Sequence, residues 1–473
     1  MSNNKASTYD VIDTDQQLSI RYHNIYAING ELTYLTTNDQ QLPLVNKFTN
    51  TSSWRPVTKI FRTASELDTY VQSLGTINEC ELAALCECWW NHCIGHALFD
   101  GLYPIYLALV KFGYHDKSFV LLSDVWNKDV MAYDIVTRFS GHELQPYTQL
   151  DKNTVIRFKI LVAGTGSTGN RVMNQNYTLY GEKEYNALTL FKERMLSRYG
   201  IANSPRDPNN SIVNIIIVDN KRYSQYERWA ITQIIEHYLK NNISSISYVD
   251  WSRYPTFEEQ LKVINQTDIQ ITGPGTGMMY MPFLRKGSVN INLGYIEHTQ
   301  TNSARPNIFI QGTDKPDFLV PGWMEQSVCA GASYVTTLYY DRYTFNQLEV
   351  KPLITLIDRA ISLIINPIES NYLNLNTDAL VFREYCKRVA NPQAVCDHLT
   401  NIAFFIELFI NEHPHAVPDS IIDIELLRKI KDEFGLNRNY EIKTSILSCP
   451  EISHRTRQVA SNSRYKNCLP SRV

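Results

Sequence analysis

What the chain lacks narrows its class first. Across 473 residues no apolar stretch approaches the roughly 20 residues of a membrane span. The nearest, Ile402 to Ile410, is short, carries Glu407 and reads as a packed helix. An excess of one charge is also missing: 45 Lys and Arg against 48 Asp and Glu leave a net charge of −3. That balance excludes a nucleic-acid binder working through global electrostatics. Nine Cys, an odd number scattered over a long chain, do not make a disulfide framework. The first residues, MSNNKASTYDVIDTDQQ, form neither the apolar run of a signal peptide nor an Arg-rich transit segment. A soluble, cytoplasmic protein is expected, with no nucleic-acid partner, no membrane span and its oligomeric state left open.

What is present is ordinary globular material, 44% hydrophobic and 20% charged. The length suggests two or three domains at roughly 150 residues each. Short strands come first, with NIYAINGELTYLT alternating around Asn29-Gly30, a strong hairpin signal. From Asn78 helical spacing takes over in ECELAALCECWW and GHALFDGLYPIYLALVKFG, followed by buried strands at SFVLLSD and VIRFKILVAG. Between Ser211 and Gly294 the pattern becomes strand, helix, strand, helix, strand, Gly loop, helix, strand. That order means a parallel sheet with crossover helices, which binds ligands outside the carboxyl ends of its strands. After Tyr343 the chain turns mostly helical, at 353–365, 398–410 and 424–435. The expected fold class is α/β, with an N-terminal domain over 1–204, a Rossmann-like domain over 205–345 and a helical extension over 346–473.

Three constellations carry chemistry. In WWNHCIGHALFDG, His96 and Asp100 stand four apart on one helix face, with Leu98, Leu102, Ile105 and Leu109 packed opposite. Such a pair serves as a proton acceptor with its orienter, or as an ion pair that fixes packing. Cys80, Cys86, Cys88, His92, Cys93 and His96 lie nearby, but their spacing matches no standard zinc pattern. The second is AGTGSTGNR, a literal G-x-G-x-x-G after a strand. Its context fails as a dinucleotide site, because NRVMNQNYTLYGEK lacks helical periodicity and no acid-ended strand follows. The third is Gly273-Pro274-Gly275-Thr276-Gly277 between a strand and a helix, a turn whose backbone N–H groups suit a phosphate. Lys221, Arg222 and Arg228 follow an earlier strand and therefore reach the same sheet edge, where cations could meet a pyrophosphate; the alternatives are a solvated loop and a tight turn that needs glycine sterically.

These pieces, in this order, resemble glycosyltransferase family 61, which includes plant xylosyl- and arabinosyltransferases and animal protein O-linked N-acetylglucosaminyltransferases. The family's N-terminal block reads here as Asn91, His96, Asp100, Leu102 and Pro104. Its basic segment is matched by VDNKRYSQYER and its Gly turn with apolar helix by GPGTGMMYMPFL. A small-residue, Gly and Tyr element is matched loosely by Ala330 to Tyr334. Two positions depart from it: Pro274 stands where the family has His, and Asn292 where it has Glu.

The resemblance implies two facing Rossmann-like domains of GT-B type and an inverting transfer of a sugar from a nucleotide-sugar donor. The acceptor would be a hydroxyl of a glycan or glycoprotein. It places the general base on Asp100 with His96. Donor contacts fall on Asn91, Lys221, Arg222, Arg228, Gly273, Gly275, Thr276 and Gly277. No metal and no cofactor are implied beyond the co-substrate, expected to be a UDP-sugar. The one tidy D-x-D, Asp13-Thr14-Asp15, lies in the polar N-terminal stretch. Family members are often anchored in the secretory pathway, so a soluble relative is expected, of a large DNA virus or of a microbe that builds glycans in its cytoplasm. Two rival classes are a non-catalytic nucleotide-sugar or glycan-binding relative and a nicotinamide-dependent oxidoreductase using the Gly164 loop.

Overall fold

The structure is a computed structural model. It describes residues 5–14, 17–46, 53–87, 92–124, 131–164, 182–207, 210, 212–241, 244–273, 275–293, 295–297, 317–319, 332, 334–340 and 347–365, with 388, 425, 426, 429 and 433. The chain divides into two compact units, Met1–Asn174 with Asn186–Gly200, and Gln175–Tyr185 with Ile201–Val473.

The first unit is built on a mixed seven-stranded sheet. Strands β1 (Thr8–Thr14) and β2 (Gln17–Ile28) pair antiparallel, and β3 (Glu31–Thr36) returns along β2. The β2–β3 turn is the expected Asn29-Gly30, with φ of 51° and 81°, the left-handed pair that a two-residue hairpin loop requires. Two-residue strands β4 (Val45–Asn46) and β5 (Ser53–Trp54) pair with each other, and β6 (Val57–Ile60) runs parallel to β3. Helix α1 (Ala64–Ser73) starts at Thr63, whose hydroxyl accepts the Glu66 N–H, and buries Leu67 and Val71 against Tyr26 and Leu35. Then β7 (Ile77–Leu85), where the spacing from Asn78 suggested a helix, is a strand, and β8 (Val120–Leu122) lies parallel to it. β9 (Val155–Ala163) sits between β7 and β2, pairing parallel along the length of the first and antiparallel to the second.

Between β7 and β8 run α2 (Ile94–His96), a π-helical turn (Ala97–Leu102) and α3 (Tyr103–Lys111). Helix α4 (Met131–Ser140) and, from Asn186 on, helix α5 (Glu182–Arg198) complete the unit. Arg194 of α5 caps α4 from outside: its Nε donates to the Phe139 carbonyl at 2.9 Å, and its guanidinium lies 5.0 Å from the Phe139 ring centroid. A cation there meets the negative end of the helix dipole. Burial and the neighbouring Arg198 push Arg194 down to about 10.

The second unit holds the expected parallel sheet. Its strands are β10 (Val213–Val218), β11 (Ser244–Val249), β12 (Ile269–Thr272), β13 (Val289–Asn292) and β16 (Thr336–Tyr339). They stand in the order β11-β10-β12-β13-β16 and all pair parallel. A separate two-stranded sheet pairs β14 (Tyr295–Glu297) with β15 (Asp317–Leu319). Helices α6 (Gln225–Asn241) and α7 (Phe257–Asn265) are the crossovers. Helix α8 (Val350–Ile365) is a layer of this unit, where the sequence suggested a separate extension. Its Leu353, Ile357 and Ile364 join Ile215, Ile271, Ile291 and Ile234 of α6 in one core. The helix expected at 398–410 lies outside the described residues, as does most of the one expected at 424–435. Among those described, no helix is long and apolar enough to cross a membrane.

Candidate functional site

In the second unit the chain leaves β10 toward β11 on one side, and β12 lies on the other. The crevice above β10 and β12 is therefore the sheet's switch point, where open parallel sheets take ligands. Two loops meet there.

The first loop follows β10. The Asp219 N–H donates to the Val249 carbonyl at 2.8 Å, which carries the ladder one residue further. Asn220 then turns the chain: its Oδ1 accepts the Arg222 N–H at 3.1 Å and its carbonyl accepts the Tyr223 N–H at 3.0 Å. Ser224 and Glu227 start α6 with a reciprocal capping box, at 2.9 and 3.1 Å. Lys221 and Arg222 are exposed on this loop. Arg228 has a different position. Its guanidinium binds Asp219, the Tyr248 hydroxyl at 2.9 Å and the Asn220 carbonyl at 3.0 Å, so it fastens the loop from behind. The Asp219 carboxylate holds Arg228 in its charged form, while burial and that same carboxylate push the Tyr248 hydroxyl well up.

The second loop follows β12. Gly275 has φ 128° and ψ −164°, a backbone region open essentially to glycine alone. A Cβ on it would stand 3.0 Å from Arg222 Nη1, so the guanidinium of the first loop lies directly over this glycine. At Gly277 a Cβ would stand 2.8 Å from Thr272 Oγ1 and 3.0 Å from Val218 Cγ1. Gly273 is buried and Thr276 exposed; Pro274 lies outside the described residues. The helix expected after the glycines is a 3-10 run, Thr276–Phe283, with Pro282 inside it. Proline has no N–H to continue an α-ladder, and Met278 to Phe283 are buried, with Tyr280 stacked on Trp251 at 4.7 Å.

Buried side chains that sequence reasoning missed hold this loop. The Gly273 N–H donates to the Tyr223 hydroxyl at 3.0 Å, and that hydroxyl donates to the Val218 carbonyl at 3.3 Å. Gln270 Nε2 donates to the Gly277 carbonyl at 2.7 Å, and Thr272 Oγ1 to the Gly273 carbonyl at 3.0 Å. Gln270 and Thr272 pair in register with Asn290 and Asn292, and all four are buried. The signal was legible: DIQITG and SVNINLG alternate polar and apolar inside strands otherwise read as apolar. At the opposite end of these strands, buried Asp268 accepts from Arg285 at 2.6 Å and lies 3.4 Å from Arg206, a knot at the far edge of the sheet.

In the first unit the π-helical turn gives the His96–Asp100 stretch its geometry. The Tyr103 N–H reaches back to the Leu98 carbonyl, five residues away. Such turns are rare and concentrate at functional sites. Asp100 sits within the turn, with its side chain outside the described residues, as is all of Asn91. His96 directly precedes the turn and is partly buried, and Leu98, Leu102, Ile105 and Leu109 are fully buried as expected. Two carboxylates not singled out in the sequence follow the parallel strands here. Buried Glu87, just past β7, accepts from the Tyr147 hydroxyl at 3.0 Å, and Asp124, just past β8, accepts the Thr148 N–H at 3.0 Å.

Gly164 receives a steric account. With φ 106°, a Cβ on it would stand 2.1 Å from the Leu18 carbonyl oxygen, so β9 can end against β2 only with glycine. The rest of that G-x-G-x-x-G stretch lies outside the described residues. Among the described residues no cluster of His, Cys, Asp and Glu is arranged to hold a metal ion.

No family model matches the chain, and no curated protein is similar to it. The functional reading therefore rests on the site.

Proposed function

We propose that the chain is an inverting, metal-independent glycosyltransferase using a nucleotide-sugar donor, with the donor diphosphate at the β10–β12 switch point. One observation carries this: Arg222 lies over Gly275, so a cation and a glycine turn converge from two separate loops. A diphosphate needs both parts. The guanidinium supplies charge in a fork that matches phosphate oxygens, and the glycines let backbone N–H groups approach closely. Lys221, on the same exposed loop, supplies a second positive charge. Together they would do for the leaving group what a divalent ion does in metal-dependent transferases.

The chemistry is a single displacement. The acceptor hydroxyl oxygen forms a bond to the anomeric carbon as the bond from that carbon to the phosphate oxygen breaks. The nucleoside diphosphate leaves with the electron pair, and the hydroxyl proton passes to a general base. On the resemblance, that base is Asp100 with His96; the π-helical turn that carries Asp100 supports an assignment to function. The two-domain GT-B architecture, a UDP-sugar as donor and a glycan or glycoprotein acceptor belong to the same proposal. A nicotinamide-dependent activity has less support, because the sheet itself demands Gly164. The experiment is a donor-hydrolysis and transfer assay across UDP- and GDP-sugars. Release of nucleoside diphosphate supports the reading. Donor binding without either hydrolysis or transfer would make the chain a binding relative instead.

A further inference from the structure

Resting on that reading of the switch point, we infer that Tyr223 and Gln270 are positioning residues that preform the glycine loop before any ligand arrives. Tyr223 stands within the basic segment VDNKRYSQYER and Gln270 in the strand before the glycines, and neither was singled out as a donor contact. Each satisfies a backbone group at one end of the loop, Tyr223 the Gly273 N–H and Gln270 the Gly277 carbonyl. Tyr223 does more. It belongs to the cation loop, one residue after Arg222, so its hydroxyl joins the two loops and they move as one body. A guanidinium and a glycine turn joined in this way keep their spacing without a ligand, which lowers the ordering cost of binding.

Gln270 gives the inference a test that separates positioning from plain stability. It is fully buried in β12, and among the described residues its Oε1 has no hydrogen-bond partner. A buried acceptor left unsatisfied is unfavourable, and an apolar residue of similar shape would remove the penalty. The amide therefore makes sense as a support for Gly277 and not as a contribution to the core. A site that gives up stability in this way is a common signature of function.

The experiment is calorimetric titration of the full chain with UDP, GDP and ADP, alongside thermal unfolding. Tyr223→Phe and Gln270→Met should each weaken nucleoside-diphosphate binding by roughly 5- to 30-fold. Gln270→Met should do so with little change in melting temperature, because removing the unpaired Oε1 offsets the lost bond to the Gly277 carbonyl. Tyr238→Phe is the control: its hydroxyl bonds Asp358 at 2.7 Å and the Ile354 carbonyl at 3.2 Å, joining α6 to α8 in the same unit. That variant should lose stability and keep its affinity. If Tyr223→Phe and Gln270→Met bind as tightly as the wild type, or Tyr238→Phe weakens binding equally, the positioning role is wrong. If the wild type binds none of the three, the site reading itself fails, and that is visible without any variant. Should Tyr223→Phe not fold, amide exchange decides: the segment Gly273 to Met278 should exchange slowly without ligand, and exchange at the rate of an open loop contradicts a preformed turn.

Discussion

Replacing Gly275 by alanine perturbs the site in two separable ways. The first is conformational. With φ 128° and ψ −164°, Gly275 occupies a region that L-residues essentially do not enter, and forcing alanine there costs on the order of 1–3 kcal/mol. At about 2–4 °C of melting temperature per kcal/mol for a domain of 150–250 residues, the loss is roughly 2–12 °C. The second is local. The new Cβ would stand 3.0 Å from Arg222 Nη1, and the guanidinium, at the end of a flexible side chain, is the group that gives way. Displacing it removes a charge-assisted contact worth about 1.5–3 kcal/mol, so nucleoside-diphosphate affinity should fall by roughly 10- to 150-fold. The assay is a double-mutant cycle by calorimetric titration with Arg222→Ala. If Gly275 serves to leave room for Arg222, the double variant binds no more weakly than Arg222→Ala alone. Fully additive losses, or normal affinity in a folded Gly275→Ala chain, would refute the argument.

Three further outcomes follow from other parts of the structure. Asp268→Asn leaves Arg206 and Arg285 without their buried carboxylate and should cost about 3–5 kcal/mol of unfolding free energy. It lies at the far edge of the sheet, so a folded variant that also binds nucleotide poorly would contradict the separation of the two edges. Lys192 of α5 is buried, and burial lowers it to about 8. The unfolded chain then takes up the proton first, so stability should rise with pH between about 8 and 10.4, by at most about 1.4 kcal/mol per unit. Lys192→Met should accordingly lose this rise between about pH 8 and 10.4, and the same slope in that variant would show that another group is responsible. Asp100→Asn keeps the shape of the side chain and removes the proton acceptor, so transfer should fall by about 10²–10⁴ with donor affinity nearly retained. Full activity in that variant moves the base to His96 or to another carboxylate.

Much of the second unit was legible because its signals are local. The strands around Ile215, Ile246, Ile271 and Ile291 announce themselves as β-branched runs, and the amphipathic stretch of α8 by its period. The Asn29-Gly30 hairpin is equally local, since its two left-handed residues are chosen by type. What was missed depends on partners distant in sequence. Arg228 looks like one more cation of the phosphate loop; its use by Asp219, Tyr248 and Asn220 depends on which strand β10 pairs with. Gly164 looks like a nucleotide fingerprint until β2 is seen to pass 2.1 Å from where its Cβ would be. The kink in β2 at Asn24, with φ 56°, has the same origin. It lies where β2 exchanges β1 for β3, and Asn24 Oδ1 accepts from Arg157, more than a hundred residues along, at 2.7 Å. The 3-10 run after the glycines was foreseeable from Pro282, but the apolar pattern around it reads as an α-helix.

The central claim is that the switch-point edge of the second unit holds a nucleoside diphosphate through Lys221, Arg222 and the glycine loop. It is tested most directly by ligand-induced thermal shift on the full chain and on a Lys221→Ala/Arg222→Ala variant, across UDP-sugars, GDP-sugars and NADH. A ligand at 100 times its dissociation constant adds about 2.7 kcal/mol of stability, or roughly 5–11 °C at this domain size. The wild type should show such a shift with a nucleotide sugar and not with NADH, and the variant should lose it while still unfolding cooperatively. A shift with NADH alone, or the same nucleotide-sugar shift in the variant, would contradict the claim.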